Sequence, residues 1–225
     1  MSPVWAARRR SSPRYPRRTK PGKLRLYGDR QMTVDSANLP DDRFGYSVYA
    51  VVIVAPREIM QMVGGLRQTL RITRPMIPAH VTVKGTFYDV PDLDDLRKRL
   101  AALATRMRSF RLRFDGQQHA NEGRHRFFAV QKTYELMNLH RDLESLIGPV
   151  SKNAYGDHEY QPHLTIYERV TEEQAATGQV IAEFMDPGAG FIATAFSLMA
   201  RKGKAADGTW VEVQRYALGS SGGGD

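Results

Sequence analysis

Two four-residue segments, His80-Val81-Thr82-Val83 and His163-Leu164-Thr165-Ile166, repeat one pattern of histidine, apolar, threonine, apolar. A period of two belongs to the β-strand, on which alternate residues share a face. Each segment therefore reads as a strand with Val81, Val83, Leu164 and Ile166 turned to a core. His80, Thr82, His163 and Thr165 then face the other way, and the next residues in phase, Lys84 and Tyr167, are expected on that same polar face. Polar groups along an otherwise apolar strand need partners or water, and a cleft supplies both. Allowing for the abundance of Ser, Thr and apolar residues, two such motifs arise by chance in roughly 0.5% of chains of this composition.

The surroundings repeat as well. Strands are predicted over residues 46–55, 80–88, 110–114, 125–131, 163–170, 191–201 and 210–218 from β-branched and alternating runs. Helices are predicted over 58–72, 94–106, 134–147 and 171–185 from apolar residues three and four apart. Asp115-Gly116 reads as a turn followed by a polar loop over 117–124, and residues 203–208 as another turn. Each histidine strand follows a helix and a proline-containing loop and precedes another helix. That order points to an α+β duplication, two halves about a pseudo-twofold axis, with the histidines meeting across a cleft.

The net charge of +9 resembles a nucleic-acid signature until it is located. Residues 1–30 hold ten basic side chains and one acid, and the remainder of the chain holds 23 of each. A folded surface that grips a long phosphate backbone carries its own excess of Lys and Arg. The balanced body instead suits a small or terminal phosphate. Residues 1–44 read as a basic, disordered arm able to contact RNA, residues 45–218 as the folded domain, and residues 219–225 as a flexible Gly/Ser tail. A start at Met32 and a genuine tail are equally compatible with the arm. No apolar run reaches the length of a membrane span. The chain has no cysteine, which excludes disulfides, thiolate metal sites and a cysteine nucleophile and fits a cytoplasmic, monomeric protein.

The repeated motif fits the chemistry of phosphodiester cleavage, with a pair of satisfied strand histidines as the competing reading. One group must deprotonate the attacking oxygen and another must protonate the leaving oxygen, and imidazole can do either near neutral pH. Threonine hydroxyls beside the histidines can donate hydrogen bonds to the non-bridging oxygens as charge builds there. The scheme needs no metal or other cofactor, and the residues alone do not say which histidine is acid and which is base. Lys84 is a candidate for a phosphate oxygen and Tyr167 for stacking on a base or sugar. A rim charge and ordinary packing are the competing readings.

The two motifs resemble the paired signatures of the two-histidine (2H) phosphoesterases, which include the 2′-5′ RNA ligase and 2′,3′-cyclic nucleotide phosphodiesterase proteins. The resemblance covers about residues 45–218, including the opening strand, the 110–116 and 126–130 segments and Pro162 before the second histidine. It implies a bilobal fold of two antiparallel sheets with flanking helices around a central cleft. It also implies catalysis by His80, Thr82, His163 and Thr165 without a metal, on a nucleotide 2′,3′-cyclic phosphate or an RNA end, giving a 2′-phosphate. RNA processing is the matching role. A non-catalytic nucleotide- or RNA-binding module and 2′-5′ RNA ligation are the alternatives. His119, His125 and His158 lie in polar stretches without compact metal-ligand spacing and read as surface residues, and His140 reads as exposed on a helix.

Overall fold

The computed structural model describes residues 45–148, 152–153, 159–202 and 208–219. The arm over 1–44, most of the 203–208 turn, His158 and the tail beyond Gly219 lie outside the described residues. Among the described residues, nine strands and four helices follow one another: β1 (Tyr46–Val54), α1 (Arg57–Thr69), β2 (His80–Tyr88), α2 (Leu93–Arg106), β3 (Phe110–Ala120), β4 (His125–Val130), α3 (Tyr134–Ile147), β5 (Lys152–Asn153), β6 (His163–Tyr167), α4 (Glu172–Ala182), β7 (Gly190–Ala193), β8 (Ala195–Lys202) and β9 (Thr209–Ala217).

The strands form one antiparallel sheet in the order β7-β3-β4-β6-β2-β1-β8-β9, with β5 paired to the end of β2. The expected pair of sheets is thus a single sheet. It is nonetheless built from two four-strand halves, β2-β1-β8-β9 and β6-β4-β3-β7, that meet where Val81 pairs with Leu164. The two motif strands are therefore central, with the pair Val81–Leu164 at the junction of the halves.

The four helices lie on one face. Ile59, Val63 and Leu66 of α1, Leu96, Leu100 and Leu103 of α2, Leu136, Leu139, Leu143 and Ile147 of α3 and Ala175 and Ala182 of α4 share one core with Val81, Val83, Leu164 and Ile166. Helix starts carry the local chemistry that fixes them: Asp92, Thr133 and Thr171 each accept a bond from the backbone three residues on, and Thr171 and Gln174 complete a reciprocal cap. The opposite face of the sheet has only small apolar groups, Ala50, Val52, Ile77 and Met199 in one half and Ala120 and Phe127 in the other.

Three expectations from local sequence change in the fold. Asp115-Gly116 is not a turn: β3 runs on to Ala120, and the pair sits in an irregular stretch between Phe114 and Gln117 with Gly116 at φ 78°. The chain reverses instead at residues 121–124, where Asn121, Glu122 and Gly123 all take positive φ. The single strand expected over 191–201 is two strands at opposite regions of the sheet, β7 beside β3 and β8 between β1 and β9, separated at Thr194.

Candidate active site

The antiparallel register about Val81 and Leu164 runs His80 towards Thr165 and Thr82 towards His163. Each histidine is thereby set beside the threonine of the other motif, on the face away from the helices. The four side chains are half-buried, while Val81 and Leu164 between them are fully buried in the core.

Both imidazoles are held alike. His80 Nδ1 lies 2.6 Å from the Pro78 carbonyl oxygen, and His163 Nδ1 lies 2.8 Å from the Gln161 carbonyl oxygen. A carbonyl only accepts, so Nδ1 carries the proton in each ring and Nε2 is the unprotonated nitrogen of the neutral imidazole. Burial pushes the His80 imidazole down to about 4; the Pro78 bond opposes this, the Arg67 cation and His163 add to it, and Glu168 opposes it. His163 is lowered by burial too, against the Gln161 bond and the Glu168 carboxylate. Both rings are therefore neutral at neutral pH, with Nε2 unprotonated.

Lys84 and Tyr167 do not join this face. Val51 and Val52 are neighbours on β1, yet they pair with Lys84 and Thr82, which stand two apart on β2. The same occurs beside β6: the neighbours Arg126 and Phe127 of β4 pair with Tyr167 and Thr165. Each motif strand thus has a bulge directly after its threonine, and two consecutive residues, Val83-Lys84 and Ile166-Tyr167, are buried. The bulges turn both +4 side chains to the helix layer. Lys84 is 1% exposed and its Nζ meets Glu144 Oε1 and Oε2 of α3 at 2.8 and 2.9 Å. The Tyr167 ring lies against α4, where a Cβ added at Gly178 would stand 2.8 Å from it.

Other residues arrive that sequence reasoning places elsewhere. The His125 ring lies 5.8 Å from the His163 ring, edge to face, and 5.2 Å from Phe127. Its Nε2 is buried without a hydrogen-bond partner, and burial lowers it to about 4. His140 is not exposed: it stacks on Tyr160 at 3.9 Å and bonds the Val83 carbonyl through Nδ1 at 2.8 Å. The signal for His140 is present in the sequence, because it falls on the stripe of Leu136, Leu139 and Leu143. For His125 the signal is its place in phase with Phe127 on β4. Among the described residues no group of three or more His, Cys, Asp or Glu side chains is disposed to hold a metal ion. No helix among them is long and apolar enough to cross a membrane.

A central pair of antiparallel strands thus carries His-x-Thr twice on one face, with the helices behind. Comparison with known proteins gives the family. The family model of the 2'-5' RNA ligase superfamily matches residues 55–205, and the chain belongs to that superfamily of 2H phosphoesterases. Solved structures share the fold. LigT of E. coli complexed with phosphate has a TM-score of 0.50 at 20% identity, covering 78% of this chain and 99% of LigT. LigT complexed with 3'-AMP gives 0.51 at 20% identity, with 77% and 98% covered. TT0787 of Thermus thermophilus gives 0.57 at 17% identity, with 77% and 99% covered. A comparison with curated protein sequences gives no match.

Proposed function

We propose that this protein is a metal-independent 2′,3′-cyclic phosphodiesterase acting on nucleotides or RNA ends and releasing a 2′-phosphate. The observation that carries the reading is the matched pair of imidazoles, each with Nδ1 tied to the carbonyl two residues before it and Nε2 left for chemistry. The Nε2 of one neutral ring removes a proton from water as its oxygen attacks phosphorus. The bond from phosphorus to the 3′ oxygen breaks, and the other ring, as an imidazolium, gives that oxygen its Nε2 proton. Thr82 and Thr165 donate to the non-bridging oxygens, whose charge grows at the transition state.

In this reading His80 serves as the neutral base and His163 as the acid. The acid has to be protonated despite its burial. The negative phosphate supplies the compensating charge, so substrate binding and proton uptake by His163 are coupled. The structures of LigT with phosphate and with 3'-AMP support a phosphate-bearing ligand for this fold. The reading takes residues 45–218 as the catalytic domain of a cytoplasmic monomer, with the basic residues of the 1–44 arm drawing RNA to it.

Incubation with a panel of 2′,3′-cyclic nucleotides in EDTA, followed by phosphorus NMR, tests the proposal. The expected result is a 2′-monophosphate. A 3′-monophosphate would reverse the regiochemistry, and binding without turnover would leave a nucleotide-binding module in place of an enzyme.

A further inference from the structure

Two helices, α1 and α3, are exchanged between the halves. α1 lies in sequence between β1 and β2 yet packs on β6, and α3 lies between β4 and β6 yet packs on β2. From α1, Arg67 Nη2 donates to the Thr165 carbonyl at 2.6 Å and its Nε donates to the Ile166 carbonyl at 2.8 Å. Its Nη1 reaches the Ile77 carbonyl, at 3.4 Å, in the loop that leads to His80. In the mirror position, Tyr160 of the loop before His163 donates its hydroxyl to the Thr82 carbonyl at 2.8 Å. His140 of α3, stacked on Tyr160, donates to the Val83 carbonyl.

The two grips are equivalent by sequence as well as by place. Arg67 stands in the stripe Val63, Leu66, Arg67, Leu70, and His140 in the stripe Leu136, Leu139, His140, Leu143. Each polar residue occupies the same step of an otherwise buried face. The carbonyls they hold are those of the motif threonine and the residue after it, where each bulge leaves backbone groups without regular ladder partners. Arg67 is 99 and 98 residues from the two β6 carbonyls it bonds, so local chain geometry does not hold it there.

We propose that Arg67, and in mirror relation His140 with Tyr160, are positioning residues that cross-brace the motif strands. Each half of the molecule grips the histidine strand of the other, so the separation of the two Nε2 atoms is fixed by side chains rather than by the one-pair junction at Val81 and Leu164. The role of these residues in turnover rests on the phosphodiesterase reading, whereas the geometry of the imidazoles does not. A planar guanidinium can bond three carbonyls at once, and an ammonium on the same stem cannot reproduce that fork. A positioning error of about 1 Å costs on the order of 10²-fold in rate.

The test uses the full chain with Arg67→Met, Arg67→Lys and Tyr160→Phe. Long-range ¹H–¹⁵N imidazole spectra are recorded without ligand, and kcat and KM for a cyclic nucleotide are measured well below each variant's melting temperature. Tyr160→Phe keeps the stacked ring and removes one bond, so it serves where an Arg67 variant does not fold. The expected result is displaced His163 resonances in both Arg67 variants and displaced His80 resonances in Tyr160→Phe. With these, kcat falls roughly 10- to 10²-fold while KM stays within about threefold. Folded variants with wild-type imidazole spectra and wild-type kcat overturn the brace. A wild-type protein that turns over no cyclic nucleotide overturns the phosphodiesterase reading, and the imidazole spectra still decide the brace.

Discussion

Removing either member of the Lys84–Glu144 pair should have unequal consequences. Lys84 is 1% exposed, whereas the Glu144 side chain is 38% exposed. Taking one partner from a buried pair costs about 3–5 kcal/mol when the survivor stays buried and unpaired. That penalty applies to Glu144→Ala, which strands an ammonium under the sheet; with the pair close to the helix surface we expect about 2–4 kcal/mol. Lys84→Met leaves a carboxylate that can rehydrate, and methionine refills the space of the lysine stem. Its cost is about 0–1 kcal/mol, as for a partly exposed ion pair. Urea unfolding at neutral pH with unchanged slope reads both values. A Lys84→Met protein destabilised as much as Glu144→Ala would refute the reasoning. The same variant separates structure from substrate contact. Lys84 faces the helices, so KM for a cyclic nucleotide should move by less than about twofold, and a tenfold rise would return Lys84 to the phosphate.

Further expectations follow from the histidines and the packing. His80 and His125 sit at about 4, below the 6.5 of an unfolded chain, so the unfolded state takes up protons first as the pH falls. Stability is therefore full above about pH 6.5 and declines between 6.5 and 4, by about 1–3 kcal/mol for each group after allowing for partial exposure; a flat stability curve across that window would contradict their burial as neutral rings. Sulfate, which does not titrate between pH 8 and 6, should bind more tightly as pH falls across that range, with about one proton taken up in calorimetry, and proton-neutral binding would remove the coupled acid. With a p-nitrophenyl phosphodiester, whose leaving oxygen needs no proton, His163→Ala should lose far less activity than His80→Ala, while equal losses would undo the assignment of acid and base. Gly178→Ala would press a methyl against Tyr167 and Leu70 at 2.8–3.0 Å and cost about 1–3 kcal/mol, whereas Gly64→Ala meets open space on a helix and should stabilise by up to about 1 kcal/mol. Thermal melts of the two proteins give the comparison, and the same sign for both would refute it.

Much of the architecture was legible because it depends on local periodicity. β2 over His80–Tyr88 and α3 over Tyr134–Ile147 lie where alternation and the leucine stripe put them. What failed depends on partners that no local window contains. A bulge is a mismatch between two strands, so nothing within His-Val-Thr-Val-Lys tells that Lys84 leaves the face of Thr82. The division of 191–201 at Thr194 follows from two strands bonding to β3 and to β1 and β9, neighbours far apart in sequence. The two-sheet expectation failed for a similar reason, since a single pair, Val81–Leu164, joins the halves into one sheet. His80, Thr82, His163 and Thr165 share one face as expected, because their spacing alone sets the phase of each strand. His125, expected at the surface, lies in phase with Phe127 on β4, and His140, expected to be exposed, lies on the leucine stripe of α3; Arg67 has the same place on the stripe of α1, and its partners lie 98 and 99 residues away.

The central claim is that two imidazoles act as a unit on one phosphorus, and the kinetics of His80→Gln, His163→Gln and the double variant on a 2′,3′-cyclic nucleotide in EDTA test it most directly. The account predicts that each single change lowers kcat/KM by at least about 10³-fold and that the double variant is little worse than either single one, as for groups that work together. A single variant with near-wild-type turnover, or losses that simply multiply in the double variant, would contradict it.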